Sequence, residues 1–160
     1  FTLVKSLDPL EVLQIPTPSD LFAVVIHPQI EIKTSDARKI LPKTIALKDA
    51  ITQWSNVGSL IHGLHINNYD LISRSLKDVV VEPFRSQLIP GFENIKKTAL
   101  AYGALGTGIS GSGPSVFSLC KSKTSALNVE KAIRETYKKE DIPFEIYVSK
   151  INLNGIKHLK

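Results

Sequence analysis

Two hydrophobic rhythms run along the chain, one with the period of strands and one with the period of helices. Phe1–Lys5 and Leu10–Ile15 read as strands joined through Asp8-Pro9, and Leu21–His27 is a continuous apolar strand after the breaker set Pro16-Thr17-Pro18-Ser19-Asp20. Thr34 or Ser35 then caps a short helix holding Asp36, Ala37 and Arg38, which Pro42 ends. From Leu47 to Ile66, the residues Ile51, Trp54, Val57, Ile61 and Leu64 recur every three or four positions and predict one long helix with a core-facing stripe. Leu71, Ile72, Leu76, Val79 and Val80 continue the pattern in a second helix that Glu82-Pro83 stops, and Phe92, Ile95, Ala99 and Leu100 mark a third, closed by Gly103. A strand over Ser115–Cys120 follows, then a helix over Thr124–Lys138 with Leu127, Ile133 and Tyr137 turned inward. Phe144, Ile146 and Val148 then alternate with Glu145, Tyr147 and Ser149 as in a half-buried strand, and Ile156–Leu159 reads as a last edge strand. Strands at both ends, helices between them and one further β-α-β unit predict an α+β sandwich, an antiparallel sheet with helices packed on one face.

Composition narrows the picture. At 160 residues, 42% hydrophobic and 22% charged, the chain suits a single globular domain, residues 1–160. No apolar run approaches the roughly 20 residues that cross a bilayer, so no membrane partner is expected. The net charge of +5 comes from lysines spread along the chain with no aromatic-interleaved basic stripe, which argues against a nucleic-acid partner. A single cysteine, Cys120, forms no internal disulfide and fits a reducing, cytoplasmic setting; its place at the end of an apolar strand makes it a buried thiol rather than a nucleophile. His62 and His65 are three residues apart with no carboxylate between them, unlike a zinc helix, so no metal site is expected.

The segment Gly103–Leu119, GALGTGISGSGPSVFSL, holds five of the nine glycines within eleven residues. Glycine tolerates positive φ and lets backbone N–H groups approach a ligand closely, and successive N–H groups in such a turn make an anion-binding concavity. Gly106, Gly108, Gly111 and Gly113 alternate with Thr107, Ser110 and Ser112, small hydroxyl residues that add donors without bulk. The plainer alternative is a glycine-rich hairpin leading into the strand. No lysine follows as in a Walker A loop, and Ser112-Gly113-Pro114 stands where a dinucleotide fingerprint needs a helix.

This wording resembles the third motif of the GHMP kinases, and within them it looks most like the homoserine kinases. SDARKILP (Ser35–Pro42) and DVVVEPFRSQLIPGF (Asp78–Phe92) resemble segments of the same enzymes in type and order. The resemblance implies a ferredoxin-like C-terminal domain on the substrate side of an enzyme that passes the ATP γ-phosphate to the hydroxyl of homoserine in threonine biosynthesis. It also implies an N-terminal domain, absent from this chain, that carries the ATP phosphate loop and the ligand of Mg2+. The chain has no Met and begins in what reads as mid-strand, so it is expected to be part of a longer protein and inactive alone, binding neither ATP nor Mg2+ without the other domain. A homodimer is left open. Two alternatives remain: another GHMP small-molecule kinase, and a stand-alone ferredoxin-like module binding a ligand or RNA.

Homoserine is a zwitterion, and a planar guanidinium is the best fixed partner for its carboxylate. By resemblance, Arg38 and Arg85 match two carboxylate-binding arginines and Thr34 a substrate-contacting threonine. Without the resemblance, each arginine reads as solvated or as paired with a neighbouring acid such as Asp36 or Glu82. Gly106, Gly108, Ser110, Gly111, Ser112 and Gly113 are the expected phosphate and substrate loop, since phosphoryl transfer asks for positioning and charge stabilisation. No general base is assigned in this half.

Overall fold

Among the described residues, the first two strands pair only with each other. In the computed structural model, which describes residues 1–155, β1 (Thr2–Leu7) and β2 (Leu10–Gln14) form an antiparallel hairpin. The other strands, β3 (Phe22–Pro28), β4 (Gly106–Ile109), β5 (Val116–Cys120) and β6 (Phe144–Lys150), make a second sheet in the order β4-β5-β3-β6 with every neighbouring pair antiparallel. Counted within that sheet the order is 2-3-1-4, the β-α-β-β-α-β connectivity of a ferredoxin-like domain. The edge strand expected at Ile156–Leu159 lies outside the described residues.

Among the described residues there are six α-helices: α1 (Thr34–Lys39), α2 (Leu47–His65), α3 (Tyr69–Ser75), α4 (Glu82–Arg85), α5 (Phe92–Ala101) and α6 (Lys123–Tyr137). α5 and α6 cover one face of the four-stranded sheet. Val24, Ile26, Val116 and Cys120 point into this core, against Phe92, Ile95, Ala99, Val129, Ile133 and Tyr137. A smaller cluster of Leu21, Leu64, Ile72 and Leu105 ties α2 and α3 to the sheet. α5 ends in a Schellman motif, in which the N–H of Ala104 donates to the carbonyl of Ala99 (2.9 Å) and that of Gly103 to Leu100 (3.2 Å). Gly103 takes φ +97°, a value that needs glycine, as the sequence pattern expects.

Several local expectations fail for identifiable reasons. α1 starts at Thr34 with Lys33 before it, and no side chain caps it, so neither Thr34 nor Ser35 is a cap. α3 stops at Ser75, and Val79 and Val80 lie in a bend that Asp78 organises through its own hydrogen bonds. Trp54, taken from its spacing as a core residue, is 66% exposed, as are much of Ile51 and Val57. α2 packs mainly on α3, and its buried side chains are Ala50 and Leu64, so Ile51, Trp54 and Val57 stay largely exposed among the described residues. Leu127 also faces outward on α6, where Ala126, Val129 and Ile133 fill the core instead.

Candidate functional site

The glycine segment folds as two different things. Gly106 and Gly108 lie within β4, an edge strand whose glycines hid it from a propensity reading, because glycine is depleted in strands. A Cβ on Gly106 would stand 2.3 Å from Leu76 Cδ2 and 2.7 Å from its Cβ, so this glycine is a packing requirement beneath α3. The remainder is the hairpin between β4 and β5. The N–H of Gly113 donates to Ser110 (3.0 Å) and that of Ser110 to Ser115 (2.8 Å), closing a turn with Gly111 and Ser112 at its centre. Gly111 has φ +61° and no atom within 4 Å of its missing Cβ. Among the described residues, the N–H groups of Gly111 and Ser112 have no acceptor. The hairpin and the donor loop are therefore the same object.

Arg85 joins the three sequence blocks. It sits at the end of α4, where its Nε donates to the carbonyl of Ala37 (3.1 Å) and its Nη1 to the carbonyl of Gly111 (2.9 Å). The first bond fixes α4 against α1 at the residue next to Arg38; the second fixes it to the tip of the glycine turn. A guanidinium has five N–H donors, and the two bonds leave three, enough for a forked pair with a carboxylate. Neither arginine meets the acid that its neighbourhood in sequence suggests. Asp36 pairs with Lys39 (3.3 Å), Glu82 pairs with Lys96, and among the described residues neither Arg38 nor Arg85 has a carboxylate partner. Arg38 is exposed on α1; Thr34, on the first turn of the same helix, is also exposed and makes no hydrogen bond there.

The support behind Arg85 includes residues the sequence reading passed over. Asp78 accepts from the N–H groups of Val80 (2.8 Å) and Val81 (2.8 Å) through Oδ1 and from Glu82 (3.2 Å) through Oδ2, so its carboxylate caps the turn that begins α4. An aspartate four residues ahead of a Glu-Pro pair is a legible cap signal. Behind the cap, Glu82 and Lys96 form a mostly buried ion pair linking α4 to α5. Burial pushes the Glu82 carboxyl above its ordinary value, against the opposing pull of Lys96 and with a further push from Asp78. Between α2, the Ser75–Asp78 turn and β4 lies a cavity of about 220 Å3, lined in part by Gln53, Asn56, Asp78, Glu82, Gly108 and Phe117. Gln53 accepts from the N–H of Val79 (3.0 Å), and Asn56 donates to the carbonyl of Lys77 (3.0 Å). These polar residues of α2 thus brace the loop that leads into α4, a role no spacing within α2 reveals.

The chain that carries this arrangement matches one family of known proteins. The family of GHMP kinases C terminal matches residues 50–139. The chain belongs to the GHMP kinases. The homoserine kinase of Chlorobium phaeobacteroides is 48% identical over 161 residues, covering 99% of this chain and 50% of that protein. That of Pyrococcus furiosus is 40% identical over 94% of this chain and 50% of its own length. The crystal structure of homoserine kinase from Cytophaga hutchinsonii superposes with a TM-score of 0.93 at 50% identity, over 96% of this chain and 49% of that one. Mevalonate kinase from L. major, at 16% identity and a TM-score of 0.69, shares the fold. This GHMP kinase domain thus spans about half the length of the relatives it matches. Within it, Cys120 is fully buried, and burial pushes its thiol up to about 11, so it is an inert core residue as its strand position implies. Among the described residues, no helix is long and apolar enough to cross a membrane.

Proposed function

We propose that this domain is the substrate-side half of a homoserine kinase, which transfers the γ-phosphate of ATP to the homoserine hydroxyl with Mg2+ held by the other half. The observation that carries the reading is Arg85, fixed by its bonds to Ala37 and Gly111 yet left with three N–H donors and, among the described residues, no acid partner. A guanidinium held in that way is pre-organised for a small carboxylate, since little rotamer entropy remains to be lost on binding. Arg38 on the neighbouring α1 supplies the second positive charge, and Thr34 a hydroxyl at the same helix. Two cations on neighbouring helices favour an amino or hydroxy acid over a neutral sugar as the alcohol.

The N–H groups of Gly111 and Ser112, with the hydroxyls of Ser110 and Ser112, face the acceptor and stabilise charge that develops on the transferred phosphoryl group. Gly108 and Gly113 shape this turn from either side. Gly113 lies against Ile89 and Ile32, which keeps the turn close to the segments carrying Arg85 and Arg38. ATP and Mg2+ sit between the two halves, and the enzyme works in the cytoplasm. The test is to supply the intact protein with ATP, Mg2+ and homoserine and follow ADP and phosphohomoserine together. An ordinary enzyme rate of about 1 to 1000 per second is expected, with the 160-residue domain alone inert. Turnover confined to another small alcohol would leave the family in place and remove the homoserine assignment.

A further inference from the structure

His27 stands at the foot of the glycine turn. It lies on β3, partly buried, and its Nδ1 is hydrogen-bonded to Ser115 Oγ at 2.8 Å, across 88 positions of sequence. The β3–β5 ladder ends at the Ile26–Val116 pair and the β4–β5 ladder at Ile109–Val116, so Ser115 is one position beyond both. It is tied in place through its backbone and its side chain together. Its carbonyl accepts from the N–H of Ser110 (2.8 Å), which closes the turn, and its hydroxyl meets His27. His27 itself is fixed from the other side, where it pairs with Glu145 of β6 and the ladder runs on to Pro28–Phe144. The Glu145 carboxylate accepts instead from the Tyr147 hydroxyl. A ring carried on a strand that is still in register loses little freedom by making its bond to Ser115.

We infer that His27 is a positioning residue for the phosphate-facing turn, acting through Ser115 on the N–H of Ser110 and so on the placement of Gly111 and Ser112. Arg85 holds the tip of the turn by its bond to the Gly111 carbonyl, and His27 holds the base from the sheet. With both ends fixed, the turn meets a transferred phosphoryl group with little rearrangement, the condition for effective electrostatic stabilisation. What the turn is for rests on the homoserine kinase reading; that His27 sets its position does not.

Ser115→Ala and His27→Phe, singly and together in the intact protein, test it by two readouts. Hydrogen exchange at residue resolution should show the Ser110 amide losing protection in all three variants, while the amide of Leu105, bonded to the Leu119 carbonyl at the far end of β5 (2.7 Å), keeps it. With homoserine as acceptor, kcat should fall roughly two- to tenfold in each single variant, the size of one lost hydrogen bond. It should fall no further in the double variant, and the KM for homoserine should stay nearly unchanged. Losses that multiply in the double variant, or an unchanged Ser110 amide, would overturn the inference, as would variants that lose Tm and keep kcat. If the native protein turns over a different alcohol, the homoserine reading fails; that alcohol then replaces homoserine in the assay, and the exchange and double-variant results still decide the role of His27.

Discussion

Arg85 Nη1 donates to the carbonyl of Gly111 at 2.9 Å, so the arginine expected to hold substrate also holds the tip of the loop expected to face phosphate. The two roles are coupled through one side chain. A carboxylate placed on the remaining donors would fix the guanidinium further, and with it the turn that holds Gly111 and Ser112.

The glycines of this segment separate by mutation. Gly106→Ala should destabilise the protein by about 1 to 3 kcal/mol, the usual cost of overpacking, because its Cβ would collide with Leu76. Gly111→Asn should leave Tm nearly unchanged, since asparagine tolerates positive φ and the space beyond the turn is open. Its side chain would nevertheless stand beside the free N–H groups and lower kcat. Thermal melts and steady-state kinetics on the two variants check this; matched losses of stability in both would mean that the turn is structural throughout.

Glu82 predicts a pH signature. Its carboxyl titrates above the ordinary value of 4.5 in the folded protein, mainly because it is buried. The folded state therefore binds this proton more tightly than the unfolded state, and stability falls as pH rises from about 4.5 through the raised value. Glu82→Gln removes that dependence. Melting curves from pH 4 to 7 should show the native protein losing ground to the variant as pH rises across that window; parallel curves would mean that Lys96 fully offsets burial.

Trp54 is the sole tryptophan and stands on the open face of α2. In the 160-residue domain its emission should be that of a solvated indole, readily quenched by iodide, and Trp54→Ala should change stability by no more than about 0.5 kcal/mol. Blue-shifted, unquenched emission would put it back in the core.

Most elements were legible because their signals were local. The 3.6-residue period bounded α2 to within a residue, Gly103 closed α5, and alternation from Phe144 set β6. The failures came where a partner outside the local sequence decides the outcome. Trp54 and Leu127 share the helical period of true core residues, but only packing on α3 or on the sheet separates buried from exposed. β4 was unreadable since Gly106 is there for Leu76, 30 positions away, and Gly108 faces Phe117 across the β4–β5 hairpin. At the site, residue types pointed to Arg85 and the turn, while the bonds from Arg85 to Ala37 and Gly111 span 48 and 26 positions and no spacing announces them.

The carboxylate-reading role of Arg85 is tested most directly by Arg85→Lys in the intact protein, assayed with homoserine and with 3-aminopropan-1-ol, which lacks the carboxylate. Losing a hydrogen bond to a charged group costs about 1.5 to 3 kcal/mol, so kcat/KM for homoserine should fall roughly tenfold to a hundredfold. The KM for ATP should barely change, and the amino alcohol, which feels only the loosened turn, should lose far less than homoserine. Equal losses on both alcohols would contradict the account and leave Arg85 as a clamp between Ala37 and Gly111 alone.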